Sequence, residues 1–270
     1  MRRQEIADSY LALIGLAADP LREQESTFAI DAQSWRTPCS LYEVNVIDAE
    51  TKQKRRRKGN FVRLQVALGT RWKIVGAAAI LSEEDGEVPQ TINLMETVCE
   101  RFGRPELLLC DTAYSAGAER QWLYDRGIVT RIPFKSNATP QGNGSAWNFD
   151  LQAYLDADEH YWAEYYTRLI VESYFGALMR TNGHVKKLKS KHLMSQACEL
   201  LSLLLNYQLR MLLVAHLHGT IEIPWLSDEA RATIGQLRRA APPHRDSGQP
   251  VDVDMRANVL IFPSRRTRPN

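Results

Sequence analysis

Residues 107–123 read LLLCDTAYSAGAERQWL, and the fold turns on how this stretch is parsed. Leu107 to Cys110 is a short apolar strand with Asp111 at its C-terminal end. Ala116 to Asp125 follows as a helix, closed by Gly127. Upstream, Pro89 to Phe102 reads as another helix, with Pro at its start, Ile92, Met95, Val98 and Cys99 on its apolar face, and Gly103 as its stop. Downstream, Ile128 to Phe134 reads as a strand. Strands separated by helices in this way pair in parallel, with the helices as crossovers.

Farther upstream, Thr27 to Ile30 is expected to be a strand with Asp31 at its end. Phe61 to Leu68 and Lys73 to Ile80 are two strands rich in Val and Ile, joined by a tight turn at Gly69. Leu41 to Ile47 alternates weakly, as a short strand or an ordered loop. Residues 1–25 hold one short amphipathic helix, with Ile6, Tyr10, Leu13 and Ile14 at helical spacing, ended by Asp19-Pro20. Beyond the quoted stretch, residues 136–148 form a polar, Gly-rich loop, Glu159 to Arg180 one long helix and Ser195 to Leu217 a second. From Asp228 the chain turns Arg- and Pro-rich and is expected to be poorly ordered. There is no internal repeat. The expected division is a helical segment at 1–25, a main domain at 26–217 and a basic tail at 218–270. The order fits an α/β fold of ribonuclease-H-like type, a mixed sheet flanked by helices with a C-terminal helix. Periodicity alone does not select it; the positions of the carboxylates do.

The 270 residues suffice for one large domain or two small ones. With 44% hydrophobic and 24% charged residues, disorder over most of the chain and a collagen-like fibre are excluded. The net charge of +2 points to no partner, but its distribution is uneven: Lys52 to Lys58 holds six basic residues in seven, Lys186 to Lys191 four in six. Cys39, Cys99, Cys110 and Cys198 form no C-x-x-C pair, which argues against structural zinc and for thiols in a reducing compartment. The N-terminus has no apolar signal core. Asn206, Gln208, Arg210 and His216 interrupt the apolar stretch Leu200 to Leu217, which reads as a buried helix rather than a membrane span. The expected location is cytoplasmic.

Asp31, Asp111 and Glu172 are separated by 80 and 61 residues, so only folding can unite them. In a ribonuclease-H-like sheet the first strand neighbours the strand ending at Asp111, and the late helix packs beside both. A converged triad of carboxylates repels itself and raises its own pKa values unless cations neutralise it. Hard oxygen ligands suit Mg²⁺, with Mn²⁺ as a substitute. Two such ions ~4 Å apart activate a water or a DNA 3′-hydroxyl for in-line phosphoryl displacement. A plainer reading remains open: 32 acidic residues offer many triples, and Asp31 and Asp111 would then be helix or turn caps.

Four segments carry a resemblance: FAIDAQSW around Asp31, the opening stretch around Asp111, IPFKSNATPQGNGSAW after it, and YYTRLIVESYFGALMR around Glu172. In this order and spacing they resemble transposases of bacterial insertion sequences, which carry an Asp-Asp-Glu catalytic domain. The family's late-helix signature, Tyr-(2)-Arg-(3)-Glu-(6)-Lys, appears as Tyr165, Arg168 and Glu172, with Met179 at the lysine position and Arg180 next to it. A D-x-x-Y follows as Asp111 and Tyr114. The resemblance covers about residues 26 to 217.

It implies that Asp31, Asp111 and Glu172 hold the divalent metals, and that Tyr165 and Arg168 contact DNA near the cleaved end. Arg168 suits a bidentate phosphate contact, and Tyr165 could stack on an unpaired base. A core aromatic is the alternative for Tyr165, and an ion pair with Glu164 or Glu172 for Arg168. Methionine cannot neutralise a phosphate, so Arg180 must reach back, or Lys135 at the end of the last strand must serve, or that contact is weak. Tyr114 is a further expected DNA contact. Lys54, Arg55, Arg56, Arg57 and Lys58 could grip phosphates or be a solvated loop, and Lys186 to Lys191 could extend the same track. Trp35, Trp147 and Trp162 are read as packing rather than stacking, and His160, His184 and His192 as incidental.

The implied partners are double-stranded DNA, as element ends and target, and a second copy of the chain; no membrane is implied, and the protein would gather on the nucleoid when bound. About 25 residues precede the first strand, too few for a helix-turn-helix, which suggests a shortened N-terminus. The short gap between Asp111 and Glu172 leaves no room for a large β-rich insertion. Two alternatives share the fold: a non-catalytic DNA-binding remnant, and a ribonuclease-H-like nuclease that cleaves without joining.

Overall fold

The computed structural model describes residues 3–38, 43–47, 54–58, 61–82, 85–142, 145–181, 187–223, 227–229 and 232. Helix α1 (Arg3–Ala18) gives way to a 3-10 turn at Asp19–Gln24 where Pro20 removes a backbone donor. Strand β1 (Thr27–Arg36) follows. Two short strands, β2 (Glu43–Ile47) and β3 (Lys54–Lys58), pair antiparallel as a separate ladder. The chain then runs through β4 (Phe61–Gly69), β5 (Val75–Leu81), α2 (Gln90–Phe102), β6 (Leu107–Leu109), α3 (Gly117–Asp125) and β7 (Val129–Arg131). Four helices complete it: α4 (Ala146–Leu155), α5 (Glu159–Tyr166), α6 (Ile170–Thr181) and α7 (Leu193–Leu217).

The main sheet has the order β5-β4-β1-β6-β7. β4 is antiparallel to both β1 and β5, while β1, β6 and β7 are parallel. The ribonuclease-H-like arrangement expected above is therefore present, with α2 and α3 as the crossovers. Alternate residues of β1 serve opposite faces. Ala29 joins Leu64, Val66 and Leu68 of β4 against Val171, Tyr174 and Leu178 of α6 and Leu200 and Leu204 of α7. Phe28 and Ile30 face the other way, against Leu94, Met95 and Val98 of α2 and Leu123 of α3. α1 contributes Ala7 and Ile14 to the first of these cores and packs against α7. α7 is long and apolar enough to cross a membrane, yet Gln196 and Gln208 are fully buried on it, and Gln208 Oε1 accepts the Val75 amide at 2.8 Å. That pattern is a core helix.

Several expectations need correction. Asp31 lies mid-strand, because β1 continues to Arg36 with Trp35 fully buried and every residue from Phe28 onward paired to β4. The basic run is strand β3 rather than a loop. The single helix expected at 159–180 is broken by a 3-10 turn at Thr167–Leu169, where Thr167 Oγ1 takes the Glu164 carbonyl at 2.7 Å in competition with the backbone. β7 is shorter than expected; its partner β6 has three residues, and Pro133 offers no amide. α4 begins in the last three residues of the expected loop and runs beyond it, with Asn148 Oδ1 accepting the Gln141 amide at 2.7 Å to fold the Gly-rich stretch onto it. Most of the tail lies outside the described residues.

Glu25 locks the start of β1 to the β4–β5 turn. It is 5% exposed and accepts the backbone amides of Arg71, at 3.0 Å, and Trp72. A Cβ on Gly69 would stand 2.6 Å from the Glu25 carboxyl carbon, so only glycine fits there. Burial pushes the Glu25 pKa up to about 7, against those two amides and Arg71, which lower it. A carboxyl whose pKa is higher folded than unfolded favours folding when protonated, so this contribution is present in acid and lost as pH rises to 7. Relative to Glu25→Gln, the wild-type protein should lose about 3 kcal/mol of stability between pH 4.5 and 7.5, measured by thermal or urea unfolding. A flat difference would show that the carboxyl does not titrate in that window.

Candidate active site

Parallel pairing sets the first two acids side by side. The last paired couple of β1 and β6 is Ala29 with Leu109, and Asp31 and Asp111 each stand two residues farther along. Asp31 is half-buried, opposite Val66 of β4, with its Oδ1 accepting the amide of Ala32 at 2.8 Å. Asp111 caps the 3-10 turn Thr112–Tyr114, its Oδ1 accepting the Ala113 amide at 2.7 Å. The cap reading is therefore correct for one oxygen of Asp111.

Glu172 stands in the first turn of α6, with its side chain 58% exposed. It reaches Asp31 through Arg168. The guanidinium places Nη1 3.3 Å from Asp31 Oδ2 and Nη2 3.4 Å from Glu172 Oε1. Burial raises the Asp31 pKa above the usual carboxylate range, and the charges of Asp111 and Glu87 add to that effect; the Ala32 amide and Arg168 oppose it. Among the described residues no three His, Cys, Asp or Glu side chains gather closely enough to hold an ion together. The structure thus brings Asp31 beside Asp111 and tethers Glu172 to them by a cation.

The other expected residues divide. Tyr165 is half-buried, 5.8 Å from the Arg168 Cζ at its ring centre, and packs edge-on against Trp162 at 5.7 Å. Glu164 pairs with Arg131 at 2.8 Å, leaving Arg168 for the acids. Met179 packs against the main core. Arg180 is exposed on the last turn of α6, and its Nη1 lies 3.8 Å from where a Cβ on Gly176 would stand, so the side chain runs back along the helix. Lys135 is exposed beyond β7. Lys54, Arg55, Arg56, Arg57 and Lys58 make up β3, whose side chains lie outside the described residues. Trp147 bonds the Thr139 carbonyl at 2.9 Å and packs edge-on against Phe134. His160 lies 3.3 Å from Glu164, and His184 falls outside the described residues.

Tyr114 requires a correction. It is 2% exposed and offers no surface to DNA. Its hydroxyl donates to Glu87 Oε2 at 3.1 Å and accepts from Gln65 Nε2 at 3.3 Å. Gln65 also bonds the Glu87 carbonyl at 3.0 Å, and Arg63 Nη1 holds Glu87 Oε1 at 2.8 Å. This network sits next to Asp31, and sequence reasoning missed Glu87 in it. The available signal was Gln65, a polar residue in the middle of the apolar strand FVRLQVALG.

A mixed sheet of this order, with two aspartates at one edge and a glutamate tethered across from them, defines a ribonuclease-H-like protein with an acidic edge. Residues 22–209, well over half of the chain, match the Transposase DDE domain, and the chain belongs to that family. Domains of this family generally use divalent metal ions. No curated protein matches the sequence. Among solved structures, a piggyBac transposase synaptic complex with hairpin DNA is 11% identical with a TM-score of 0.38, over 88% of this chain and 63% of that one. A pre-cleavage Mos1 transpososome is 13% identical with a TM-score of 0.27, over 78% of this chain and 64% of that one. This chain therefore spans less than two thirds of either.

The Tyr114 network has a measurable weight. Tyr114→Phe should cost roughly 1–2 kcal/mol in urea unfolding, because Gln65 and Glu87 each lose a partner next to the core. Tyr166→Phe, on a ring 57% exposed, should cost almost nothing; equal effects would show that the Tyr114 hydroxyl carries no special load.

Proposed function

We propose that this chain is the catalytic domain of a DNA transposase, cleaving DNA strands and joining them to a target during movement of an insertion element. The supporting observation is the β1–β6 register, which makes Asp31 and Asp111 neighbours, inside a chain that belongs to the transposase DDE domain family.

In this reading Asp31, Asp111 and Glu172 would hold two Mg²⁺ ions, with Mn²⁺ as a substitute. The donor set suits hard cations by its chemistry, being all carboxylate oxygen, and Arg168, paired to Asp31 and Glu172, must move aside for Glu172 to join the two aspartates around an ion. Bound ions of this kind activate a water or a 3′-hydroxyl and stabilise the leaving oxygen. The remaining work falls to the chain. Arg168 exchanges its two long ion pairs for a bidentate grip on a DNA phosphate. Tyr165, against its guanidinium, stacks on an unpaired base near the cut. Arg180, lying back along α6, supplies the positive charge that Met179 lacks, and Lys135 and the basic strand Lys54–Lys58 add sequence-independent phosphate contacts. Tyr114 acts from the interior by positioning Glu87 and Gln65. Duplex DNA is the partner, and a dimer of the chain acts on paired ends.

The test is metal-dependent nicking and strand joining on duplexes taken from the genomic DNA that flanks the coding sequence. Asp31→Ala, Asp111→Ala and Glu172→Ala should each reduce both reactions to background while circular dichroism stays unchanged. Full activity in any one of them would sink the metal assignment. Cleavage without joining would favour a nuclease. The alternative of a DNA-binding remnant draws on Met179 in the core, and it predicts duplex binding with neither reaction.

A further inference from the structure

We propose that residues 187–191 form a preorganised phosphate-binding track, which seats one strand of duplex DNA beyond the acidic edge. The proposal rests on the DNA-acting reading above and adds a site to it. The segment reads Lys-Leu-Lys-Ser-Lys, and its backbone is pinned at nearly every residue. Lys187 forms a parallel bridge with Arg36, the last residue of β1, and the Leu188 amide donates to the Arg36 carbonyl at 2.8 Å. Leu188 is 1% exposed and belongs to the main core. The Glu199 carboxylate accepts the amides of Lys189, at 3.0 and 3.1 Å, and of Ser190, at 3.0 Å. The fully buried Gln196 donates to the Ser190 carbonyl at 3.0 Å.

The consequence is a strict alternation. Lys187, Lys189 and Lys191 are exposed, while Leu188 is buried and Ser190 half-buried between them. Only Lys187 is bridged to β1, and the consecutive amides of Lys189 and Ser190 turn to the same Glu199 carboxylate, so the segment is a fixed turn that presents its lysines outward. The Glu199 carboxylate is occupied with backbone amides, and no ion pair of Lys187 or Lys189 is found among the described residues. Because the backbone is already ordered, binding costs only side-chain entropy.

Position argues for DNA over an acidic protein surface. Arg36 lies five residues beyond Asp31 on β1, about 17 Å along the strand. Arg36 also pairs with Phe61, three residues after the end of the basic strand β3, so the backbone of Lys58 is within about 11 Å of that corner. Two lysine- and arginine-rich segments thus leave the sheet at the same place.

The experiment is fluorescence anisotropy of the full chain with a short duplex of arbitrary sequence, in EDTA, as a function of KCl concentration. Replacing Lys187, Lys189 and Lys191 together by Gln should weaken binding for any sequence. It should also make the slope of log K against log salt shallower by about two to three, since each lost phosphate contact removes about 0.9. The single variants Lys187→Gln and Lys189→Gln should each remove about one, and the triple replacement by Arg should keep the wild-type slope. Thermal melts check that the fold is intact. An unchanged slope in the Gln variants overturns the track, including the case where an acidic protein is the true occupant. Wild-type protein that binds no duplex overturns both the track and the transposase reading, whereas loss of cleavage in Asp31→Ala bears only on the latter, because binding is read without metal.

Discussion

The parallel pairing of β1 with β6 is the constraint on which the site depends. Its register makes Asp31 and Asp111 neighbours without any bond between their side chains. A slip of one residue would put Asp111 opposite a core-facing position and turn the Leu108 and Leu109 side chains to the wrong faces. Burial of those leucines holds the register, so hydrophobic packing does the positioning and two carboxylates bear the electrostatic cost. The Asp31 pKa is raised first by burial and further by the charge of Asp111, and Arg168 offsets part of it.

The two halves of the site are held with different firmness. Beneath Asp31, the Tyr114, Glu87, Gln65 and Arg63 network ties the approach to α2 onto β4. On the far side, the buried Arg120 bonds Asp150 at 2.6 Å and the Ile132 carbonyl at 2.7 Å, fastening α3, α4 and the end of β7 together. Such networks are costly to break because each buried group left alone loses a full partner. Glu172 has no comparable anchor: it is exposed on α6 and meets Asp31 only through two ion pairs of 3.3 and 3.4 Å. Contacts of that length on a partly solvated pair contribute little and exchange readily. The aspartates are therefore held firmly by the sheet, and the glutamate–arginine pair is free to rearrange.

The order of strands and crossover helices was readable because each element carries its own periodicity. β1, β4, β5, α2, β6 and α3 all declare an apolar face within a few residues. Breaks in that periodicity were harder to read. Nothing in YYTRLIV announces the 3-10 turn at Thr167, and α4 directly follows a Gly-rich stretch, with a side-chain bond to Asn148 organising the approach to it. Tyr114 looked like a surface contact because a tyrosine near an acid suits either side of a protein; only the position of Glu87 draws its hydroxyl inward.

The sequence by itself determined that this is a mixed α/β protein with acids at chosen strand and helix positions, since burial patterns and charged residues are local properties. It also contained the segments by which the family is recognised. Only the tertiary structure decided which groups meet. Arg168 bridges to Asp31 across 137 residues of chain, and Leu188 docks on Arg36 with exposed lysines on either side of it. Those partnerships depend on register and packing between distant segments, where the energies are set by which surfaces exclude water together, and no local pattern encodes them.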